Sequence, residues 1–538
     1  MRQRLATALG WLERLASRPL GALLLFIIAL TDYAVQAIAW PLRTGRDLDE
    51  YLLAYIQLFD RHVLLPWALQ FRTPLTPLVA GASLDFAGGR LAEPIAALLF
   101  ALAVVAWAAA ARYFGPRVAL TVAIALLLYP GYGLMFHELA SELVLGAAFA
   151  GWALLVTRAA FAPSVARFAL VGLGVAVLAL VRPGNAVLLV FAFFPLVLRL
   201  PWRTRLGSAA ALAACAVLPL AAWSAVNGVR FGDYSLARGG NAIIPFYRAF
   251  ITDHIVAPEN GSASRKLAAA MQQHLLTREP YRAYDVTLDE LFRNGSFRVH
   301  EDLYLLSDQV FGWKSAYSVL RDAGIEGVRA HPGTYAGGVS RTIWNELAAE
   351  SYFRALPSGE PANGGGAASG EGSTIVVRGQ RLPKPTEGQP IPGGQVAWIS
   401  RPDQSIRQVW VSPTRFRFAF ENPGERARFE AIMREQKRLF AALPDRSGNA
   451  TLGLRLNQLS RWFPRPLVWI VLGLVGIAFR RPRGSATLVA LALAAFLVVL
   501  LNALGLFTDL HFALPVAPTF VLLGLGGLLG ARRDAEET

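Results

Sequence analysis

Residues 485–505 read SATLVALALAAFLVVLLNALG, a run of 21 residues without a charged side chain. At 1.5 Å per residue, a helix of this length crosses a hydrocarbon core of about 30 Å. Arg480, Arg481 and Arg483 stand just before the run, whereas no arginine or lysine follows it before His511. An apolar run with arginines at one end only predicts a membrane-spanning helix of defined orientation.

Similar apolar runs recur along the chain, and together with 485–505 they predict about ten spans. The others lie near 20–40, 93–112, 117–135, 139–158, 167–183, 185–199, 206–226, 463–479 and 511–530. Of the 538 residues 54% are hydrophobic and 17% charged, and the mean hydropathy of +0.41 is too high for a soluble enzyme. The predicted fold class is mostly α: a polytopic α-helical transmembrane bundle with a mixed α/β extracytoplasmic segment between spans seven and eight.

The arginines in short connections indicate the orientation of the spans. One alternating set of connections carries Arg2, Arg4, Arg14, Arg18, Arg112, Arg117, Arg158, Arg167, Arg199, Arg203, Arg205, Arg480, Arg481, Arg483, Arg532 and Arg533. The short turns of the opposite set are almost without arginine, and Arg182 is the exception. The pattern predicts that both termini are cytoplasmic, and it explains the net charge of +15 better than nucleic-acid binding does. Arginine far outnumbers lysine, which points to a high-GC bacterium and hence to a bacterial plasma membrane.

Three parts of the chain are predicted. Residues 1–226 form a transmembrane core of spans 1–7 with the first outer loop 41–92, residues 227–462 an extracytoplasmic soluble segment, and residues 463–538 spans 8–10 with a cytoplasmic tail. The first helix is predicted to be retained rather than cleaved. The single cysteine, Cys215, lies in an apolar run, so an intramolecular disulfide is excluded.

The soluble segment contains recognisable local patterns. SASRKLAAAMQQHLLT from 262 and WKSAYSVLRDAG from 313 predict helices, and residues 422–442 predict an amphipathic helix. STIVVRG from 373, GQVAWIS from 394 and QVWVSP from 408 predict strands. Residues 357–373 are rich in Gly, Ala and Ser and are predicted to be flexible.

Ionisable side chains gather at the predicted outer ends of the spans, where such residues are functional candidates. They are Asp47, Asp49 and Glu50 in TGRDLDEYLLAY, Arg72 in LQFRTPLTPLVAG, His137, Glu138 and Glu142 in FHELASELVLG, Arg182 and Asn185 in LVRPGNAVLL, and Asp509 and His511 in FTDLHFALP. A carboxylate in this setting can deprotonate a hydroxyl group, while arginine and histidine can hold a phosphate leaving group. The combination predicts sugar transfer from a lipid phosphate.

These motifs resemble the GT-C class of polytopic glycosyltransferases, and most closely the bacterial branch related to protein O-mannosyltransferases and aminoarabinose transferase. The matching pieces, in order, are the acidic motif from Asp47 to Tyr51, Arg72 in FRTP, the Ser141–Glu142 pair, and the Arg182–Pro183 break. In DLHFALPVAP, His511 and Phe512 stand where the family usually has an Arg-Tyr pair. The resemblance covers residues 1–226 and 463–530.

The resemblance implies a glycosyltransferase that moves a sugar from a polyprenyl-phosphate-linked donor to an extracytoplasmic acceptor, with inversion. Carried over, Asp47 is the catalytic base, with Asp49 as its nearby alternative. Arg72, Arg182 and His511 would bind the donor phosphate, and Tyr51, Glu138 and Glu142 would bind substrate or supply a second acid. The implied partners are the polyprenyl-phosphate sugar donor, the lipid bilayer and an unknown extracytoplasmic acceptor. The cofactor stays unknown, and a divalent metal is not excluded. No His-x-x-x-His or carboxylate triplet spacing supports a metal site.

Other interpretations stay open at this stage. A transporter or flippase of a lipid-linked or anionic solute could use the same charges. Transporters usually have internal repeats and charges at mid-membrane, and the sequence shows neither feature. A membrane-anchored binding or assembly protein could act through residues 227–462. Individually, Asp47 could cap a helix and Glu142 could favour a helix N-terminus, while Arg72 could contact lipid headgroups.

Overall fold

The chain is described by a computed structural model, in which residues 19–60, 63–65, 71–278, 281–282, 285–294, 300–348, 374–377, 380–383, 395–399, 406–410, 416–443, 446–506 and 510–532 are placed. The predicted flexible stretch 357–373 and the candidate Asp509 lie outside these residues. Within them the structure is a bundle of apolar helices. A polar segment is inserted between the helices Trp202–Phe231 and Pro466–Arg480.

The α-helices are α1 Pro19–Ala39, α2 Leu48–Ile56, α3 Leu75–Asp85, α4 Ala92–Arg112, α5 Pro116–Leu127, α6 Pro130–Leu134, α7 Ser141–Phe161, α8 Val165–Val181, α9 Phe194–Val197, α10 Trp202–Phe231, α11 Gly240–Ala242, α12 Ser262–Ala270, α13 Leu288–Asn294, α14 Leu305–Val310, α15 Ser318–Ala330, α16 Pro332–Ala348, α17 Pro423–Ala441, α18 Ala450–Trp462, α19 Pro466–Arg480, α20 Ser485–Gly505 and α21 Ala517–Leu529. Short 3-10 helices cover Phe86–Gly89, Met135–His137, Pro183–Phe193, Pro258–Asn260, Trp313–Ser315, Leu510–Phe512 and Leu514–Val516, and π-helix covers Ile243–Thr252, Met271–Leu275 and His300–Tyr304.

The strands are β1 Arg43–Thr44, β2 Glu138–Leu139, β3 Thr374–Val377, β4 Gln380–Pro383, β5 Gln395–Ile399, β6 Arg407–Trp410 and β7 Phe416–Ala419. β1 and β2 pair in parallel, β3 and β4 form an antiparallel pair, and β5, β6 and β7 form an antiparallel sheet in that order. Of the three stretches predicted as strands, two contain β3 and β5, and the third overlaps β6 from Gln408 to Trp410.

The predicted polytopic helical fold is confirmed. In the described part of the chain, α1, α4, α7, α10, α20 and the run Ala450–Arg480 are each long and apolar enough to cross a membrane. α8, the helical stretch Pro183–Val197 and the stretch Leu514–Leu529 are shorter apolar helices at three other predicted spans. The chain is therefore an integral membrane protein of several spans.

The third predicted span, 117–135, is broken rather than continuous. α5 ends at Leu127, and the chain bends by 66° before the helical stretch that starts at Pro130. Proline has no N–H group for a helical hydrogen bond and disfavours helical geometry in the residue before it, here Tyr129. The sequence prediction allowed for a proline near a span end but did not predict the bend.

The connections between helices gather at two ends of the bundle. At the arginine-rich end, the turns 112–117, 158–167 and 480–485 meet the end of α21: the Ala531 amide donates to the Phe114 carbonyl at 2.9 Å, and the Arg483 amide donates to the Ala531 carbonyl at 2.8 Å. The opposite end, called the site end, holds the described residues of loop 41–92 and the turn before α7, which meet in the β1–β2 pair. It also holds the start of the 183–193 helix and the helix Leu510–Phe512, since Arg182 and Arg46 both lie against the Phe512 ring. The turns at the first end all belong to the arginine-rich set of connections predicted from the sequence.

The polar segment has its own apolar core and also packs onto the site end. Phe246, Phe250 and Tyr304 are among the fully buried side chains of that core. α12, α15 and α17 lie where helices were predicted. α16 was not predicted, because its sequence begins PGTYAGG and resembles a turn; Pro332 instead occupies the first helical turn, where proline is well tolerated.

A buried arginine joins the polar segment to the C-terminal end of α20. Arg248 donates from Nε and Nη2 to the carboxylate of Asp253, at 2.8 and 3.2 Å. Its Nη1 lies 2.7 Å from the Ala503 carbonyl and 2.9 Å from the Leu506 carbonyl. Carbonyl groups at the C-terminal end of a helix have no N–H donor within the helix, so the guanidinium supplies their hydrogen bonds and fixes the segment on the span.

Replacing Arg248 with leucine should therefore destabilise the protein. The change leaves the buried Asp253 carboxylate unpaired, which costs about 3–5 kcal/mol when one partner of a buried ion pair is removed. The Arg293–Asp289 pair joins the same residue types on an exposed helix face, so Arg293→Leu is the matched control and should have little effect. Unfolding in mixed detergent micelles measures both, and equal stabilities would contradict the structural role of Arg248.

Candidate functional site

The first cluster of the site is formed by Arg72 and the start of α2. Arg72 Nη2 lies 3.2 Å from Asp47 Oδ2 and forms an ion pair with Glu50. Its guanidinium also lies 5.0 Å from the centre of the Tyr51 ring. Asp47, Glu50 and Tyr51 are three and four residues apart, so they share one face at the beginning of the helix. Asp49 is exposed, and its carbonyl accepts a hydrogen bond from Gln436 of α17.

The backbone of Asp47 is in the left-handed region, with φ of 56° and ψ of 20°. Such geometry is uncommon outside glycine and is found often at functional sites. Asp47 occupies the N-cap position of α2, yet its side chain makes no capping hydrogen bond. Its carboxylate contacts Arg72 instead and lies 3.9 Å from Nε of Arg46. The side-chain contacts of Asp47 therefore do not support the helix-cap interpretation.

The second cluster joins the start of α7 to the end of α8. Arg182 Nη2 lies 2.6 Å from Glu142 Oε1 and 2.6 Å from Ser141 Oγ. Glu142 lies in the first turn of α7, where its negative charge interacts favourably with the helix dipole. It is only 4% exposed and is also the ion-pair partner of Arg182. Pro183 ends α8, and Arg182 in extended conformation can therefore reach across to α7.

A third cluster contains Glu138 and His511. Arg43 forms an ion pair with Glu138, its register partner in the β1–β2 pair, and His511 Nδ1 lies 3.9 Å from Glu138 Oε2. His137, by contrast, is fully buried inside the bundle and stacks on the ring of Tyr33, with centroids 4.0 Å apart. Of the neighbouring candidates His137 and Glu138, only Glu138 joins the charged clusters.

Two aromatic side chains connect the clusters. The Phe512 ring has Arg46 Cζ at 4.9 Å and Arg182 Cζ at 5.1 Å from its centre. Burial raises the pKa of the Tyr51 hydroxyl, while the charges of both Arg72 and Arg182 act to lower it, so Tyr51 lies within electrostatic range of both arginines. Thr76 Oγ1 also donates to the Val181 carbonyl at 3.0 Å, next to Arg182. The predicted site residues of separate sequence regions thus meet at the site end.

The site combines unused hydrogen-bond donors with carboxylates. Among the described residues, Arg43 Nη1, Arg72 Nε and Arg182 Nη1 are buried nitrogens without a hydrogen-bond partner. Guanidinium N–H groups in this state favour an anion with several oxygens, such as a phosphate. Burial raises the pKa of Glu50 to about 7, against the charge of Arg72, and the nearby Asp47 and Asp49 raise it further. A carboxyl group with such a pKa can exchange a proton near neutral pH.

The possible metal ligands give no further site. Within the residues that the structure places, no three or more His, Cys, Asp or Glu side chains are grouped so that they could hold a metal ion. Sequence analysis missed Arg43 and Arg46 as members of the site. Both flank the acidic motif in LRTGRDLDE, and that proximity to Asp47 was the available signal.

The comparisons with known proteins found a distant likeness to a solved structure. No family model matches it, and no curated protein matches it by sequence. The crystal structure of ArnT from Cupriavidus metallidurans bound to undecaprenyl phosphate is similar, with 14% identity and a TM-score of 0.35 over 95% of this chain and 78% of that chain. A likeness this loose says nothing about the chemistry of this chain, which depends on its own residues.

The close approach of the first loop to the turn before α7 depends on Gly45. A Cβ atom added there would lie 2.6 Å from Ala140 Cβ and 2.8 Å from the Leu139 carbonyl oxygen. Gly45→Ala should therefore push β1 away from β2 and cost about 1–3 kcal/mol of stability. Gly240→Ala is the matched control, since a Cβ at Gly240 meets nothing within 4 Å. Thermal unfolding compares the two, and an unchanged melting temperature for Gly45→Ala would show that the contact is not tight.

Proposed function

We propose that this chain is a membrane glycosyltransferase that moves a sugar from a polyprenyl-phosphate-linked donor to an extracytoplasmic acceptor, with inversion. The observation that carries the proposal is the juxtaposition of Arg72 and Arg182, each paired with a carboxylate and each with a buried unpartnered nitrogen. Two such arginines next to acids at the end of an apolar bundle suit a lipid whose phosphate lies at the membrane surface.

In the proposed reaction, Arg72 and Arg182 bind the donor phosphate, and the acceptor hydroxyl attacks the anomeric carbon from the opposite side. The bond between that carbon and the phosphate oxygen breaks, and its electron pair remains on the phosphate. The proton of the acceptor hydroxyl passes to Asp47. Attack opposite the leaving group inverts the anomeric configuration, and the arginines stabilise the charge that develops on the phosphate.

Arg72 links donor binding to the state of the base. In the structure, Arg72 contacts the Asp47 carboxylate at 3.2 Å. A phosphate bound to Arg72 would compete with Asp47 for the N–H donors of the guanidinium and so leave the carboxylate available to the acceptor hydroxyl. Glu50, which shares Arg72, is the second carboxylate able to accept the proton, while the exposed Asp49 is the weaker alternative.

The remaining candidates take supporting roles in this proposal. Glu142 holds Arg182 in place, and Tyr51 packs under the guanidinium of Arg72. Glu138 and His511 form the third cluster, near the sugar or the phosphate. Residues 1–226 and 463–538 would supply the membrane core, and 227–462 would cover the site, since α17 packs on α2 through Gln436. Both termini would be cytoplasmic and the site would face the extracytoplasmic side of a bacterial plasma membrane.

Asp47→Asn should nearly abolish sugar transfer. A general base contributes about 10² to 10⁴-fold to rate, and the amide cannot accept the proton. Asparagine also tolerates the left-handed backbone of this position, so the fold should survive. Donor affinity should persist because both arginines remain. Transfer by purified protein with polyprenyl-phosphate sugars measures turnover, and donor binding is measured separately.

Asp49→Asn is the matched control, because it makes the same chemical change two residues away on an exposed side chain. Its turnover should stay close to that of the unmodified protein. Normal transfer by Asp47→Asn would remove Asp47 as the base and make Glu50 the next to test. Donor binding without transfer by the unmodified protein, accompanied by donor movement across vesicles, would favour the transporter or flippase instead.

The proposed sidedness predicts which surface cysteines react in intact cells. In a Cys215→Ser background, cysteines at Thr277 and Ser447, both exposed in the polar segment, should react with an impermeant thiol reagent. A cysteine at the exposed Ala166, in the turn at the arginine-rich end, should react only after lysis. The reverse labelling pattern would place the site in the cytoplasm.

A further inference from the structure

The helix α18 has an exposed face on which arginine and apolar side chains are mixed. The exposed residues of this face are Leu454, Arg455, Gln458, Leu459, Arg461 and Trp462. Gln458 lies three or four residues from most of the others, so they form one continuous surface around it. Trp462 is 86% exposed and Leu454 63% exposed, and large apolar side chains grouped on a surface indicate a contact partner.

The opposite side of α18 packs on the bundle at the site end. Leu452 and Leu456 pack on a small apolar cluster that contains Trp40. The Asn449 amide, just before the helix, donates a hydrogen bond to the Ile38 carbonyl at 2.8 Å. Both contacts lie at the end of α1 that leads into the first loop. The exposed face of α18 is therefore turned away from the bundle.

The length of the helical run places this face at the level of lipid headgroups. The run Ala450–Arg480 has 31 residues and extends about 46 Å at 1.5 Å per residue, whereas the hydrocarbon core is about 30 Å thick. Arg480 belongs to the arginine-rich end, so the excess length lies in α18. Counted from Arg480, about 20 residues cross the core, which then ends near Arg461. Arg455 lies less than two turns further out, among the headgroups.

The arginines of this face are not balanced by acidic residues of the same part of the chain. The sequence from 446 to 508 contains neither Asp nor Glu. Within the residues that the structure places, Arg455 and Arg461 form no hydrogen bond or ion pair. A guanidinium at the membrane boundary extends toward the headgroups, where its fork of N–H groups fits phosphate oxygens. Tryptophan favours the same boundary, because its ring is apolar and its N–H group is polar.

We propose that the exposed face of α18 binds anionic phospholipids in the leaflet at the site end. The two arginines bind the lipid phosphates, and the three apolar side chains contact the adjoining acyl chains. A zwitterionic lipid has the same phosphate but adds a cationic group that opposes the arginines, so an anionic headgroup is preferred. None of these residues belongs to the three charged clusters, and the inference does not rest on the glycosyltransferase proposal.

A fluorescent probe at Gln458 tests the inference. In a Cys215→Ser background, Gln458→Cys is labelled with bimane, and the full-length protein is reconstituted in phosphatidylcholine vesicles. Part of the lipid is then replaced by phosphatidylcholine or phosphatidylglycerol with brominated acyl chains, which quench a fluorophore in contact with them. At equal mole fraction, the brominated phosphatidylglycerol should quench the probe more strongly. The same label at Thr277→Cys, exposed in the polar segment, is the control and should show no preference.

Substitutions measure the contribution of each arginine. Arg455→Gln and Arg461→Gln should each lower the preference for phosphatidylglycerol by about fivefold, the effect of one basic side chain at an anionic membrane surface. Lysine at both positions keeps the charge and should retain part of the preference. Arg329→Gln, which removes an exposed arginine from α15, is the matched control and should change nothing. Salt at about 1 M should weaken the preference of the unmodified arginines, because ions screen exposed charges.

The outcomes decide for or against an anionic lipid. Equal quenching by the two brominated lipids, unaffected by salt, would show that the face contacts acyl chains only and would overturn the inference. Absence of quenching by either lipid would mean that another occupant, such as a second copy of the chain, covers the face. The salt comparison keeps both arginines, so it still decides if the glutamine variants fail to fold. Sugar transfer is not measured, so failure of the proposed function leaves the result unaffected.

Discussion

Arg182 and Glu142 lie at the ends of two apolar helices, where a single charge would lose its hydration without compensation. Their contact, shared with Ser141, ties the end of α8 to the start of α7. The first loop is attached next to this contact, because the Thr76 hydroxyl donates a hydrogen bond to the Val181 carbonyl, just before Arg182. The position of Arg72, four residues before Thr76, is therefore linked to where Arg182 is held.

The polar segment supports this arrangement from the other side of the loop. Gln436 holds the backbone of α2 at Asp49, and Arg230 at the end of α10 donates to the carbonyls of Gln57 and Asp60. These carbonyls follow the last turn of α2, and that of Gln57 also accepts a hydrogen bond from the Asp60 amide. α2 is thus fixed near both ends, and Asp47 can keep a left-handed backbone that an isolated helix start would not favour.

The sequence predicted the features that depend on composition and missed those that depend on long-range contact. Apolar runs were sufficient to predict the polytopic helical fold. Candidate site residues could be chosen because charges are costly at membrane depth. The pairing of Arg43 with Glu138 spans 95 residues, and no local pattern encodes it. The left-handed backbone of Asp47 also depends on tertiary packing, which local propensities do not record.

Charge balance explains how a bundle can hold so many ionised groups at one end. Glu138 faces Arg43, Glu142 faces Arg182, and the pair of Asp47 and Glu50 faces Arg72. The first cluster, Asp47 and Glu50 with Arg72, has one carboxylate more than it has guanidinium groups, and Arg46 Nε lies 3.9 Å from the Asp47 carboxylate. An arriving anion disturbs this balance and favours protonation of a carboxylate, which is the direction required of a base that receives a proton during transfer. The same balance that stabilises the fold would therefore make phosphate binding and proton uptake favour one another.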